Sequence, residues 1–290
     1  MNARECGFLL MTSRLGDPAR KVLTVPQFRI LARAVTSSGI TRREGEVGIA
    51  ELMELGFAES TAQQILQLLS ENELLFRYLH RGTQKDCFVL TRVTEGYPGR
   101  LRARLGLDSP GCLWLKGDPT LLQTPAISLV GCRDLKEKNR DFARQVGAQA
   151  AQQGLTLISG NARGADTEAQ EACLDAGGKV ISVVADRLEN YPLRRNVLYV
   201  TEDGYDLDFT TQRALSRNRV IHALGNAVFV AQAHYGRGGT WDGTVKNLRG
   251  KWSPVFCMDD GSKGVREMLQ MGAKSITAIE LGDLRSLIVE

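Results

Sequence analysis

Apolar residues change their spacing along this chain, and the change divides it in two. Early on they recur at helical intervals: Phe28, Ile30, Leu31 and Val35 lie close to a 3.6-residue period within 25–35. A second helical unit runs over 49–69, where Leu52 and Leu55 precede a break at Gly56. Ser60 and Gln63 then predict a capping box ahead of Ile65, Leu66 and Leu69. From Leu113 onward, short and almost wholly apolar runs alternate with amphipathic stretches. These predict strands at 127–130, 155–159, 180–184, 227–233 and 255–258. Helices are expected between them at 138–152 (Phe142, Val146 and Ala150 on one face), 165–176 and 210–223. Strands apolar on both faces belong to a mostly parallel sheet covered by helices on both sides. The expected class is therefore α/β, a doubly wound sheet over 86–290 with a small helical domain over 1–85. The segment 91–122 joins the two and packs on the sheet domain.

Composition adds exclusions. A hydrophobic fraction of 43% with 24% charged residues suits a globular core. Phe8–Met11 is too short for a membrane span or a secretory core, so the expectation is a cytoplasmic protein away from membranes. The six cysteines are scattered without a C-x-x-C pair or a histidine at zinc spacing, which predicts reduced thiols and no metal. The net charge of +4 gains meaning from its distribution. Residues 77–104 hold seven basic side chains against two acids, and 209–241 hold four arginines and no acid. Such stretches are either solvated surface or an anion-binding face. The second one lies among glycine loops.

Those loops carry the candidate chemistry. The first predicted strand ends in Gly131-Cys132-Arg133, with a helix a few residues on. The second ends in SGNARGADTEAQ, where Ser159 and Gly160 lead to Arg163 and Gly164, and Asp166 or Thr167 caps the next helix. A third turn, Gly236-Arg237-Gly238-Gly239-Thr240, follows the strand at 227–233. A helix N-terminus offers unpaired N–H donors and partial positive charge, and arginine adds a bidentate clamp for phosphate. Adjacent parallel strands deliver such turns to one carboxyl edge. Arg217, Asn218 and Arg219 open a helical run upstream and suit sugar and phosphate oxygens, with Asn218 equally readable as a cap. The candidate phosphate-binding set is Gly131, Arg133, Ser159, Gly160, Arg163, Gly164, Arg217, Asn218, Arg219, Gly238, Gly239 and Thr240. Trp241 reads as a base-stacking ring or a core edge, and His222 as a satisfied core histidine.

The helix–turn–helix of the first region is similar to a helix-hairpin-helix or sterile-alpha-motif fragment, or is simply two packed helices. The order of motifs beyond it is more specific: Tyr97-Pro98, LDSPGCLWLKGDP (107–119), LVGCR (129–133), SGNARGADTEAQ (159–170), NYP (190–192), SRNRVIHALG (216–225) and GVREMLQMGA (264–273). This series resembles the DprA/Smf family from about Thr91 onward. The resemblance implies a Rossmann-like sheet domain, related to the lysine-decarboxylase-like (LOG) superfamily. It implies a non-catalytic protein that binds single-stranded DNA during transformation or recombination, without a cofactor, helps load the RecA recombinase, and forms a homodimer. It assigns Arg133 to the arginine of the family's G-S-R turn, Gly160, Arg163 and Gly164 to its S-G-x-A-R-G-x-D turn, and Asn218 with Arg219 to its R-N-R element. Cys132 stands where the family has serine, GRGGTWDGT replaces its small-residue loop, and a winged-helix extension such as some members carry is not expected.

Two other functions fit the same loops. LOG-type hydrolases cleave nucleoside monophosphates with P-G-G-x-G-T-x-x-E; here Tyr235, Arg237 and Gly243 replace the proline, the second glycine and the glutamate, with Asp242 as a displaced substitute. A nucleotide-sensing module would use the same cradle. A dinucleotide oxidoreductase is disfavoured by Trp241 at the third glycine of its fingerprint, and His80, His222 and His234 adjoin no plausible nucleophile.

Overall fold

The computed structural model describes residues 1–37 and 47–288, in two compact units. The first comprises Met1–Lys85 with Val93–Glu95, the second Asp86–Arg92 with the chain from Gly96 onward.

The helical unit contains α1 (Ala3–Thr12), α2 (Val25–Ser37), α3 (Ile49–Glu54), α4 (Glu59–Ser70) and α5 (Asn72–Thr83). Its core is built on Leu52, Phe57, Ala62, Ile65 and Leu68, with Phe28 and Leu31 packed against it. Ile30 is exposed and so leaves the expected buried face of α2; the Val35 side chain lies outside the described ones. Gly56, at φ +93°, ends α3 as expected. The capping box does not form. Extended Ala58 is the N-cap, which puts Ser60 inside the helix, and Gln63 bonds Glu59 one turn back.

In the second unit the elements run β1 (Phe88–Thr91), α6 (Gly99–Leu105), β2 (Cys112–Lys116), β3 (Ala126–Val130), α7 (Glu137–Gln152), β4 (Thr156–Ser159) and α8 (Ala165–Asp175). They continue with β5 (Lys179–Val183), β6 (Val197–Glu202), α9 (Thr211–Leu224), β7 (Ala227–Val230), α10 (Gly238–Gly250), β8 (Val255–Met258), α11 (Lys263–Gln270) and β9 (Lys274–Ile276). One sheet holds them in the order β1-β2-β6-β5-β4-β3-β7-β8-β9. From β6 to β9 it is parallel; β1 and β2 add an antiparallel edge. The doubly wound α/β class is as expected, and β3, β4 and β7 are buried along their whole length. The predicted strand 227–233 is shorter: after Val230 the chain leaves the ladder, and Ala231–Ala233 become the floor of a loop. Unforeseen were β1, β2, β6 and β9.

Chain order reverses at β3, which has β4 on one side and β7 on the other. In open parallel sheets this switch point leaves a crevice outside the carboxyl ends of the strands. The basic stretch 77–104 is partly spent elsewhere. Arg104 donates to Ala223 O (2.9 Å) and Gly225 O (2.5 Å), closing the C-terminus of α9. Arg100 holds Asn226 Oδ1 (2.6 Å) and Thr124 O (2.8 Å). Five cysteines are buried and Cys6 is half-buried; all six are free thiols. No helix among the described residues is long and apolar enough to cross a membrane.

Candidate anion-binding site

Three loops leave the sheet at the switch point: 131–136 after β3, 160–164 after β4 and 231–237 after β7. They meet closely enough that glycine is required. A Cβ on Gly131 would lie 2.4 Å from the Ala165 Cβ and 3.3 Å from that of Ala231, so this residue touches the structures that follow both neighbouring strands. Gly164, at φ +96°, has the Cys132 and Arg133 carbonyl oxygens 2.5 Å from where its Cβ would be. Hydrogen bonds fix the join: Ala165 N donates to Cys132 O (3.2 Å), and Cys132 N to Gln232 O (3.1 Å). Gln232 ties the first loop to the third, accepting from Lys136 N (2.9 Å) and donating to Asp134 O (3.2 Å). The Cys132 thiol donates to Gln232 O as a serine hydroxyl could, so its substitution leaves the turn intact. Burial pushes that thiol up to about 11.

The predicted residues separate into two groups. Arg133 and Arg163 are exposed, as is Arg237, which was not in the predicted set. Among the described residues, none of these three guanidiniums makes a hydrogen bond or ion pair. Gly238, Gly239 and Thr240 form the first turn of α10, whose N-terminus carries neither an acidic residue nor a side-chain cap. Its amides are therefore the open donors of the site. The second loop differs, because Asp166 is turned back and accepts from Ala162 N (3.1 Å). Burial raises the Asp166 carboxyl, and the Arg217 charge opposes that rise. The N-cap of α8 is Gly164, with Thr167 Oγ1 accepting from its N–H. Ser159 is buried below the loop, accepting from Gln170 Nε2 (2.6 Å).

Arg217, Asn218 and Arg219 lie within α9 and do not open it. Successive helical residues point about 100° apart, so the three serve different neighbours. Arg217 reaches the carbonyl oxygens of Gly160 and Val183, bracing the ends of β4 and β5. Asn218 Nδ2 donates to Gly239 O (3.1 Å), anchoring the first turn of α10. Arg219 is directed to Glu202 (2.5 Å) and to Asp108 O (3.0 Å), so its charge is taken up at the end of β6. His222 is buried between α9 and α10 and accepts from Asn247 Nδ2 on Nδ1 (3.2 Å); its Nε2 has no partner, so it is only half satisfied. Trp241 packs against the core, meeting Tyr235 edge-on at 5.0 Å.

Glu202 supplies a pH test of this framework. Burial raises its carboxyl from 4.5 to about 7, with Arg219 opposing the rise. The folded state therefore holds this proton more tightly than the unfolded chain. The linked stability is complete below about pH 4.5 and is lost as pH climbs to about 7, by at most about 3 kcal/mol. Thermal melts between pH 4 and 8 should show that slope in the parent chain and its disappearance in Glu202→Gln. An equal slope in both would assign the proton elsewhere.

With this geometry in hand, comparison with known proteins becomes informative. The model of the DNA recombination-mediator protein A family matches residues 88–282. DNA processing protein DprA of Streptococcus pneumoniae is 30% identical over 185 residues, covering 59% of this chain and 65% of that protein. Protein Smf of Escherichia coli is 27% identical over 213 residues, 68% of this chain and 56% of that one. The match thus spans less than two-thirds of either relative. Among solved structures, DNA processing protein A of S. pneumoniae superposes with a TM-score of 0.74 at 22% identity, covering 100% of this chain and 99% of that one. DNA processing protein A of Helicobacter pylori, a structure that describes its single-stranded DNA binding mode, gives 0.59 at 23% identity over 70% of this chain and 97% of that one. Both share this chain's fold. On the family match over residues 88–282, more than half of the chain, the chain belongs to the DNA recombination-mediator protein A family.

Proposed function

We propose that this protein binds single-stranded DNA without chemical turnover, acting in DNA uptake or recombination in the cytoplasm. In this reading the backbone phosphates lie against Arg133, Arg163, Arg237 and the open amides of Gly238–Thr240, while Arg217, Asn218 and Arg219 hold the framework. The observation that carries it is the meeting of three turns at one sheet edge with three exposed guanidiniums that, among the described residues, make no hydrogen bond or ion pair. The Helicobacter relative's single-stranded DNA binding supports the choice of anion. A homodimer and the loading of RecA onto the bound strand belong to the same proposal, on the family resemblance.

Hydrolysis of nucleotides is disfavoured by the position that the LOG pattern gives to its glutamate. Gly243 stands there without a carboxylate, packed tightly enough that a Cβ would stand 3.0 Å from His222 Nε2 and 3.2 Å from the Asn218 Cβ. Asp242 is engaged with Lys246 at 2.8 Å.

A salt series of binding curves with poly-dT, a duplex and a mononucleotide separates the readings. The expected order is poly-dT tightest, with log K falling linearly in log salt. Mononucleotide binding as tight as poly-dT would replace this proposal with nucleotide sensing, and release of free base would replace it with hydrolysis.

A further inference from the structure

The loop after β7 holds a side chain that phosphate binding leaves unused. Tyr235 is 46% exposed, an aromatic ring at the surface two residues before Arg237. It is held firmly. Trp241 meets it edge-on, with centroids 5.0 Å apart and planes at 67°, and Lys263 Nζ stands 4.0 Å from the ring centroid. Lys263 opens α11, which comes this close because its next residue is Gly264. A Cβ there would lie 2.4 Å from Ala233 O and 3.1 Å from Tyr235 N. The chain thus spends a core-packed tryptophan, a lysine and a close helix approach on fixing one exposed ring.

We propose that Tyr235 is a base-stacking platform, contributing base affinity beside the phosphate-binding arginines. The role rests on the single-stranded DNA reading above. A strand whose phosphates are bound at this edge carries unpaired bases with exposed π-faces. A ring already fixed by Trp241 and Lys263 gives up little side-chain entropy when a base stacks on it. Lys263 covers one face of the ring, so the base stacks on the opposite face, with the ammonium adding positive charge nearby. Stacking is tolerant of sequence, because every base offers a flat face. The interaction also gives a function to the loop-to-helix segment 235–241: Trp241 is the brace and Tyr235 the contact.

The test compares poly-dT with an abasic strand of equal length and charge, by fluorescence anisotropy with the full chain. The parent should prefer poly-dT. Tyr235→Ala should weaken poly-dT binding by about 5- to 100-fold, the range of one base–aromatic stack, and leave the abasic strand unaffected. Tyr235→Phe should restore the preference. Equal losses on both strands, or no loss on either, would overturn the platform while leaving the single-stranded DNA reading in place. A parent that binds neither strand would remove both, and one that binds both equally would remove the platform alone.

Discussion

Arg133→Ala combined with Arg163→Ala is expected to lower affinity for poly-dT by about a hundredfold or more. Each guanidinium can give a phosphate a charge-assisted hydrogen bond of about 1.5–3 kcal/mol, and among the described residues neither makes a hydrogen bond or ion pair that would compete for it. The loss should be the same on unrelated sequences, since backbone phosphate carries no base information. The salt dependence should also flatten, by roughly 0.7 in slope for each phosphate contact removed from a single strand. Both side chains are exposed, so melting should stay within about 0.5 kcal/mol of the parent. A folded double variant with unchanged affinity would place the strand elsewhere on the molecule.

Arg217→Met should behave in the opposite way, damaging the fold first and binding as a consequence. Its guanidinium bonds the carbonyl oxygens of Gly160 and Val183, and its charge opposes the neutralisation of buried Asp166. Methionine fills much of the volume but leaves two carbonyls and a buried carboxyl without that support. Leaving a buried acceptor without its donor costs about 1–3 kcal/mol. Urea unfolding of the sheet unit should register that loss, and Arg217→Lys should recover only part of it, because an ammonium lacks the planar fork. A variant as stable as the parent that nevertheless loses poly-dT binding would return Arg217 to direct phosphate contact.

These two variants also mark where the sequence was readable and where it was not. Strand, glycine turn and helix recur three times with distinctive spacing, so the parallel sheet and its loaded edge could be found from one chain. Two of the three exposed arginines, Arg133 and Arg163, were identified because they sit inside those turns. Arg217 and Arg219 stand in an equally suggestive motif, yet a one-dimensional pattern does not tell which way a helical side chain points. Two positions along a helix are about 200° apart, and that rotation sends one to β4 and β5 and the other to Glu202. Arg237 was named within the third turn but left out of the binding set, because the glycines around it looked like the chemistry. The strands β1, β2 and β6 were missed for a related reason. β1 and β2 form an antiparallel addition outside the alternating strand–helix rhythm, and only a short 3-10 turn at Leu188–Asn190, with no α-helix, separates β5 from β6. Tyr235 could not be distinguished from Trp241 until packing placed one ring in the core and left the other outside.

The distribution of thiols has a practical corollary. Cys6 is half-buried in α1 of the helical unit, while the other five are buried. A maleimide dye applied to the native chain should therefore attach at one place, far in sequence from the loops proposed to engage the strand. Single-molecule tracking on a stretched oligonucleotide could then begin with the unaltered polypeptide, without a cysteine-free background or an added tag.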